Sequence, residues 1–359
     1  MNKINRYNLL GVVAVLMVSF FPACNNDAPD VPEKLALEFD SSINNENWEE
    51  QSRVVKDSNI SILDFSEGDT IRVDLWSLPS GSSSTTDDPD LMRKQLMTYT
   101  SSQWDYSPKQ YWTNVVDDRL VVFAHYLAGA TNCVVDENWD PSSGYPTIRF
   151  TKYNCNSDIL VSPIKFLDKS DLENGKIKLN FRHIMTRLNM DVRYYGDEAG
   201  KGEYNSIFLE KVTFWNFPNV ATFTGFDGEK PMWKDVSYTT KGWADETGYT
   251  IEWGDSYKRL HDFTQFHYPF VCKHYDANNP THGRNAKIGF TVKKINALGD
   301  KDKLYADTAY VEKWFDAEIE GGKSYTFKVT ITPKNQVILD LESNWWNDTE
   351  NNGDANFLK

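Results

Sequence analysis

Residues 325–341, YTFKVTITPKNQVILDL, contain the most regular hydrophobic pattern of the chain. Apolar side chains occupy every second position up to Ile331, and the same alternation returns from Val337. Between the two runs, the segment Pro333-Lys334-Asn335 is typical of a tight turn. A period of two predicts β-strands with one buried face, and the turn joins these two strands into a hairpin.

Similar short runs of alternating apolar residues occur along the chain. They lie at residues 71–75, 177–181, 188–192 and 288–292. The run Leu120–Tyr126 is more continuously apolar, as expected for a strand that is buried on both faces. Helical periodicity is weak, because the stripe at 311–319 also fits a strand that ends at the Gly321-Gly322 turn. We therefore predict an all-β chain of β-sandwich architecture.

Length and composition bound the number of domains and the class of partner. The chain has 359 residues, of which 40% are hydrophobic, which is enough for about two domains with sizeable cores. We place the boundary after His183, between two alternating runs, which gives sandwiches over residues 35–183 and 184–346 and a polar tail over 347–359. The net charge of −14 argues against nucleic acid as a partner, because phosphate recognition requires a basic surface.

The first 23 residues have the pattern of a secretion signal peptide. Lys3 and Arg6 precede an apolar stretch from Leu9 to Phe21, which is shorter than the about 20 apolar residues of a membrane-spanning helix. The stretch leads into Phe21-Pro22-Ala23-Cys24, which resembles a bacterial lipobox. In such a signal, Cys24 is acylated and becomes the first mature residue.

The segment 24–34 is polar and contains two prolines, so we expect it to tether a folded body to the lipid. An ordinary signal peptide with a nearby cysteine is the alternative. Two of the 38 basic residues and none of the 52 acidic residues lie in 1–23, so the mature chain has 36 basic and 52 acidic residues, a net charge of −16. An acidic body with a lipidated end suits the cell envelope and excludes a soluble cytoplasmic enzyme.

Motifs for catalysis or metal binding are weak. Gly-x-Ser-x-Gly and His-Glu-x-x-His do not occur. Residues 317–324 match a relaxed phosphate-loop pattern, but Glu318 and Glu320 would repel phosphate and a strand follows, so a hairpin turn is the better interpretation. Four histidines and a cysteine lie within 22 residues at spacings that match no zinc framework; they are His261, His267, Cys272, His274 and His282. We therefore predict no catalytic site, no metal and no cofactor.

The other cysteines of the mature chain are Cys133, Cys155 and Cys272. An exported protein can form disulfides, and Cys133 and Cys155 are the pair that lies close in sequence. The alternative is three buried or unpaired thiols, so the sequence leaves the state of these cysteines open.

Aromatic residues are frequent, with 12 Trp, 18 Tyr and 20 Phe. They could form an exposed platform that stacks on sugars, or they could fill the sandwich cores and cover their ends, which is more common. The residues concerned are Trp104, Tyr106, Tyr111, Trp112, Trp233, Trp243, Trp253, Trp345 and Trp346.

Several short motifs follow one another along the chain. They are the lipobox at Cys24, Phe65-Ser-Glu-Gly-Asp69 leading into Ile71-Arg-Val-Asp-Leu75, Tyr111-Trp112 before the run 120–126, Asn156-Ser-Asp-Ile-Leu160, the run 177–188 with Phe181 and His183, Gly322-Lys-Ser-Tyr325, and the terminal hairpin ending at Trp345-Trp346. In order and spacing they resemble the fimbrillin-like (type V pilin) family of Gram-negative gut and oral anaerobes. The resemblance covers nearly the whole chain.

This resemblance implies two β-sandwich domains of transthyretin-like topology and export as a lipoprotein to the outer membrane. In polymerising members, a protease cuts after an arginine in the linker behind the first strand. The strand leaves, and a strand from the next subunit fills the open groove by donor-strand exchange. Arg53 is the position that the resemblance assigns as the scissile residue. Lys34 and Lys56 lie nearby, and a solvated linker arginine is the alternative.

The implied function is that of a fimbrial (pilus) subunit in cell adhesion, located at the cell surface in a fimbrium. The implied partners are other fimbrial subunits and the outer membrane, reached through the lipid anchor. The tail after Trp346 has no alternating run that could donate a strand, which favours a tip or accessory subunit. The linker around Arg53 is rich in acid, and an uncut chain suits an anchor. The alternative function is a stand-alone surface lipoprotein that binds a host or bacterial glycan, or a protein, through exposed aromatics.

Overall fold

The computed structural model describes residues 36–43, 64–78, 91–112, 119–127, 133–135, 146–151, 158–172, 174–196, 204–238, 243–260, 265–267, 270–271, 287–296, 305–314 and 318–345. Regular structure in these ranges is extended, apart from a short 3₁₀ turn at Lys169–Asp171. The all-β prediction is therefore confirmed.

In chain order the strands are β1 (Glu38–Ile43), β2 (Thr70–Leu78), β3 (Met92–Thr100), β4 (Gln103–Asp105), β5 (Arg119–Tyr126), β6 (Cys133–Val135), β7 (Ile148–Thr151), β8 (Leu160–Leu167), β9 (Lys176–His183), β10 (Thr186–Tyr194), β11 (Tyr204–Trp215), β12 (Pro218–Asp227), β13 (Lys230–Tyr238), β14 (Trp243–Glu252), β15 (Lys258–Arg259), β16 (Gln265–His267), β17 (Phe270–Val271), β18 (Lys287–Asn296), β19 (Tyr305–Trp314), β20 (Glu318–Ile319), β21 (Lys323–Ile331) and β22 (Val337–Trp345).

The first sheet has the strand order β1-β9-β8-β5-β2-β3-β4 in the described chain. It is folded back on itself, because the pairing recorded between β8 and β9 is confined to one end, around Val161 and Arg182. Apolar residues of both arms, such as Phe39 on β1 and Val73 on β2, are buried in one shared core. Burial of alternate residues, each contributing about 1.5–3 kcal/mol for a large apolar side chain, holds the two arms together.

The second sheet, with the order β13-β12-β7-β6, covers the other face of the first. The large side chains Trp76, Phe123, Phe150 and Phe223 are almost completely buried between the two sheets. Every residue of β5 from Leu120 to Tyr126 is buried, and these residues contribute to both cores. The prediction of a strand that is buried on both faces is therefore confirmed.

The remaining strands form a second sandwich. Its third sheet has the order β15-β10-β21-β22, with β16 also paired to β10, and its fourth sheet has the order β14-β11-β18-β19. The inward residues of β21, including Phe327 and Val329, lie in the core between these sheets. The hairpin predicted from residues 325–341 is confirmed, since β21 and β22 pair antiparallel up to Ile331 and Val337.

The predicted boundary after His183 lies between β9, in the first sheet, and β10, in the third. One hairpin crosses this position: β12 follows it in sequence but pairs with β7, with Ala221 opposite Phe150. The second sheet therefore contains strands from both predicted domains. The division of the chain into 35–183 and 184–346 stays a prediction.

The Gly321-Gly322 turn lies where the two sandwiches meet. The amide of Gly322 donates to the carbonyl of Met185 at 3.0 Å, and the Thr186 hydroxyl donates to the carbonyl of Glu320 at 2.9 Å. The Glu320 side chain pairs with Lys230 on the crossing hairpin and with Lys323 on β21. The prediction of a hairpin turn is wrong for this segment, because the strands on either side of the turn have other partners. β20 pairs with β17, whereas β21 pairs with β10 and β22.

We expect Gly321→Ala to destabilise the protein. A methyl group at this position would lie 2.8 Å from the backbone oxygen of Ile184 and 3.1 Å from the side chains of Pro231 and Trp233. Overpacking of this kind costs about 1–3 kcal/mol. The free energy of unfolding in urea measures the effect, with Gly254→Ala as the control, because nothing lies within 4 Å of an added methyl group there. Equal stability of the two variants would contradict close packing around Gly321, where the two sandwiches meet.

His125 on β5 is a buried titratable group. It is 1% exposed, and neither ring nitrogen has a hydrogen-bond partner among the residues that the structure describes. Burial, reinforced by the positive charges of Arg72 and Lys94, lowers the pKa of His125 from 6.5 to about 3. The unfolded chain therefore binds a proton at this histidine more readily than the folded chain does.

This difference predicts a loss of stability in acid. The contribution of His125 is fully present above its unfolded pKa of 6.5 and is lost as the pH falls toward 3, at about 1.4 kcal/mol per pH unit. His125→Phe should make the free energy of unfolding less dependent on pH between 6.5 and 4. The control is Val161→Ala, at the buried position opposite His125, which should lower stability equally at each pH. An unchanged slope for His125→Phe would exclude His125 as the cause.

Candidate functional site

The first strand, β1, occupies a groove whose two sides are built differently. On one side it pairs with β9 in a parallel ladder, with Phe39 opposite Ile177 and Ile43 opposite Phe181. Parallel pairing normally requires a long crossover connection, and here residues 44–175 separate the two strands. Within the described ranges, β1 is thus held by strands that lie far from it in sequence.

The other side of β1 contacts β4 and the segment that follows it. The amide of Leu37 donates to the carbonyl of Gln110 at 2.9 Å, and Ala36 and Tyr111 form an isolated antiparallel bridge. The Tyr106 hydroxyl donates to the carbonyl of Leu37 at 2.7 Å in a buried bond. Burial raises the pKa of Tyr106 above 10.0, so this hydroxyl remains a proton donor across the physiological range.

A tryptophan makes a second side-chain contact on this side of the groove. Trp104 on β4 is 3% exposed, and its indole Nε1 donates to the Ser41 hydroxyl at 2.9 Å. β1 and β4 are the two edges of the first sheet, so this bond joins the edges. Loss of the acceptor would leave a buried donor without a partner, which costs about 1–3 kcal/mol.

The side chains of β1 that point into the groove are apolar and pack on the core beneath them. Leu37 and Phe39 are each 2% exposed, and the Phe39 ring meets the Tyr106 ring edge to face at a centroid distance of 5.8 Å. The same core contains Phe65, whose ring centroid lies 5.1 Å from that of Phe181 on β9. Removal of β1 would therefore expose the core of the first sheet to water.

The outward face of β1 is acidic and lies against a basic strand. Glu38 and Asp40 are exposed and stand opposite Lys176 and Lys178 of β9. The carboxylate of Glu38 is 3.6 Å from the Lys176 ammonium. Lys165 on β8 adds a third ammonium to this region, because it donates to the carbonyl of Lys178 at 2.9 Å.

Several motif residues have structural roles. Asp69 accepts hydrogen bonds from the Ser66 amide at 2.6 Å and from the Tyr126 hydroxyl at 2.9 Å, which fixes the turn before β2. Asp158 and His183, from two separate motifs, form a buried pair with an Oδ2 to Nδ1 distance of 2.7 Å. Burial lowers the pKa of His183 although Asp158 opposes the shift.

The sequence-predicted site residues fall largely outside the described residues. This applies to Cys24, Arg53, Cys155 and Cys272, whereas Cys133 has a described backbone opposite Phe150. The backbone of His267 is described, and the rest of the histidine and cysteine group lies outside. In the described part of the chain, no three acidic, histidine or cysteine side chains are grouped as metal ligands. No helix within the described ranges could span a membrane.

Of the four candidate aromatic residues near β1, three belong to the core. Trp104, Tyr106 and Trp112 are 3%, 6% and 5% exposed, whereas Tyr111 is 45% exposed. Trp233 and Trp253 are half-buried and contact the rings of Phe223 and Tyr194. The core interpretation is therefore confirmed for the first three residues. The side chains of Trp243, Trp345 and Trp346 lie outside the described residues.

We expect Trp104 and Ser41 to be energetically coupled. Ser41→Ala removes the acceptor of a buried donor and Trp104→Phe removes the donor, so a double-mutant cycle on the free energy of unfolding should give a coupling of about 1 kcal/mol. Ser42→Ala is the control, because its hydroxyl bonds to Asn180 at an exposed position. Additive effects of the two substitutions would show that the indole bond does not hold β1.

Comparison with known proteins agrees with this architecture. A family model described as fimbrillin-like matches residues 52–346. A fimbrial protein from Bacteroides vulgatus is 16% identical with a TM-score of 0.61, over 86% of this chain and 99% of that one, and so shares the fold. A candidate cell adhesion protein from Bacteroides uniformis is 13% identical with a TM-score of 0.47, over 87% of this chain and 99% of that one. No curated protein matches significantly.

Proposed function

The chain belongs to the fimbrillin-like family, and from this premise we propose that it is a fimbrial subunit that assembles by strand addition in the groove beneath β1. Membership of this family indicates a structural protein without enzymatic activity. It also implies a location at the cell surface. The proposed role is adhesion, with other fimbrial subunits as the direct partners.

The observation that carries the proposal is the way in which β1 is held. It fills an apolar groove, it pairs along β9, and its other side meets the side chains of Trp104 and Tyr106. Strand addition requires a groove of this kind, in which backbone hydrogen bonds supply affinity and alternate side chains enter pockets. A strand from another subunit could satisfy the same donors and acceptors after β1 leaves.

Arg53 is the proposed position of the maturing cut. It lies between β1, which ends at Ile43, and β2, which begins at Thr70. Hydrolysis after Arg53 would leave β1 attached to the body by noncovalent contacts alone. The cut would also separate the body from Cys24, the proposed site of lipidation and outer-membrane anchoring.

The proposed place of this subunit is the tip of a fimbrium or an accessory position. Residues 347–359, NDTENNGDANFLK, contain no alternating apolar run of the kind that a donor strand has. A subunit that accepts a strand and donates none can end a polymer but cannot extend it. The groove beneath β1 supports the accepting half of this role.

We expect Arg53→Ala to prevent maturation. N-terminal sequencing of the surface form should find a start at Val54 in the wild type and at Cys24 in the variant, with loss of the variant from fimbriae. Lys56→Ala is the control, since it removes the neighbouring basic residue and leaves Arg53 intact. Normal incorporation of Arg53→Ala would exclude Arg53 as the scissile residue, and a wild-type surface form that starts at Cys24 would indicate an uncut anchor.

A further inference from the structure

The two faces of β1 make different contacts, and each set of contacts places its own requirement on a strand that replaces β1 in the groove. Leu37 and Phe39 fill apolar pockets, and any amphipathic strand could supply such residues. Ser41, on the same face, must instead accept a hydrogen bond from the buried Trp104 indole. Glu38 and Asp40, on the opposite face, stand against Lys176 and Lys178. The hydroxyl and the two carboxylates are therefore specific requirements, in addition to the alternation of inward and outward side chains that every inserted strand needs.

We infer that the groove selects an acidic strand with the order apolar, acidic, apolar, acidic, hydroxyl at the positions of residues 37–41. The partner is thus a segment of another subunit with acidic side chains on its outward face and Ser or Thr at the third inward position. This inference rests on the proposed function, because it concerns the strand that replaces β1. It assigns Trp104, Lys176 and Lys178 as the residues that determine specificity.

The hydroxyl requirement follows from the burial of Trp104. Its indole nitrogen is a donor with no accepting capacity, and the side chain is 3% exposed. A valine at position 41 would leave this donor unpaired, whereas a threonine of nearly the same shape retains the acceptor. We expect valine to weaken binding roughly tenfold relative to threonine.

The charge requirement follows from the basic flank of the groove. Lys176 and Lys178 lie on β9, and Lys165 reaches the Lys178 carbonyl from β8. The Lys176 and Glu38 side chains are 36% and 59% exposed, so salt screens their attraction. Charges at such exposed positions act mainly on the rate of association. Acidic side chains should therefore speed binding at low ionic strength and have little effect at high ionic strength.

The backbone adds one restriction. The amide of Leu37 donates to the carbonyl of Gln110, and proline has no amide hydrogen to donate. The partner strand should therefore not carry proline at the position of Leu37.

A second segment of this chain shows the same order of residues. The sequence Leu339-Asp340-Leu341-Glu342-Ser343 matches Leu37-Glu38-Phe39-Asp40-Ser41 class by class. This segment forms part of β22 and is paired with β21, with Leu339 buried in the second sandwich. A peptide with its sequence is therefore an independent probe of the groove.

The experiment uses the full chain with a specific protease site inserted in residues 44–63, which is cut so that β1 remains bound without a covalent link. A fluorescent peptide of residues 35–45 replaces β1, and unlabelled peptides compete with it. The competitors are the wild-type peptide, Ser41→Val, Ser41→Thr, a peptide with both Glu38→Lys and Asp40→Lys, and the peptide 337–345. Thermal unfolding of the cut chain verifies that the body is folded.

The inference predicts that Ser41→Thr and the 337–345 peptide compete like the wild type, whereas Ser41→Val is roughly tenfold weaker. The charge-reversed peptide should associate roughly tenfold more slowly at low salt, and Lys176→Glu with Lys178→Glu in the chain should restore its rate. Equal competition by all peptides overturns the inference and leaves strand addition intact. No exchange of the wild-type peptide, even in urea just below the unfolding transition, overturns strand addition itself.

Discussion

The fold of the first sandwich depends on how β1 closes the first sheet. The sheet curls until its edges meet, and β1 lies at this closure, paired with β9 on one side and bonded through Trp104 on the other. An open edge would expose unpaired backbone groups and the core beneath them. The same contacts that complete the sheet also define a groove of fixed length, polarity and chemistry. Stability and the proposed assembly therefore depend on the same short segment.

The rest of the molecule holds this groove in shape. The β12-β13 hairpin lies beyond the predicted boundary, yet it covers the outer face of the first sheet together with β7. The Gly321-Gly322 turn fixes that hairpin against Ile184 and Met185, because only a residue without a side chain fits at Gly321. The two sandwiches are consequently connected through backbone contacts, and β9, which forms one side of the groove, ends at this joint.

Much of the fold could be predicted from alternation. The β21-β22 hairpin and the doubly buried β5 follow from local patterns, because side-chain direction in a strand has a period of two. The crossing hairpin could not be predicted, since the sequence 218–238 carries no local sign of its partner β7. The Gly321-Gly322 segment differs from the predicted hairpin for a related reason: a turn signal indicates that the chain reverses, but not which strands then pair.

The groove was only partly predictable. The sequence indicates a linker arginine, Arg53, but not the contacts that hold β1. The sequence places Tyr106 and Trp104 among the candidates for stacking on sugars, because their roles as donors to Leu37 and Ser41 depend on the curling of the sheet. The acidic pattern of residues 38–40 was visible, yet its meaning required the lysines of β9, which lie more than a hundred residues away.

The parallel ladder between β1 and β9 also has a mechanical consequence. Its hydrogen bonds run across the strands. A force along the axis of the inserted strand therefore acts in shear on all of these hydrogen bonds at once. Peeling would instead break them one at a time. In a filament whose subunits are joined by such strands, tension is directed along the inserted segment. In the proposed assembly, a geometry that allows a strand to be replaced sideways would thus resist its extraction lengthwise under tension.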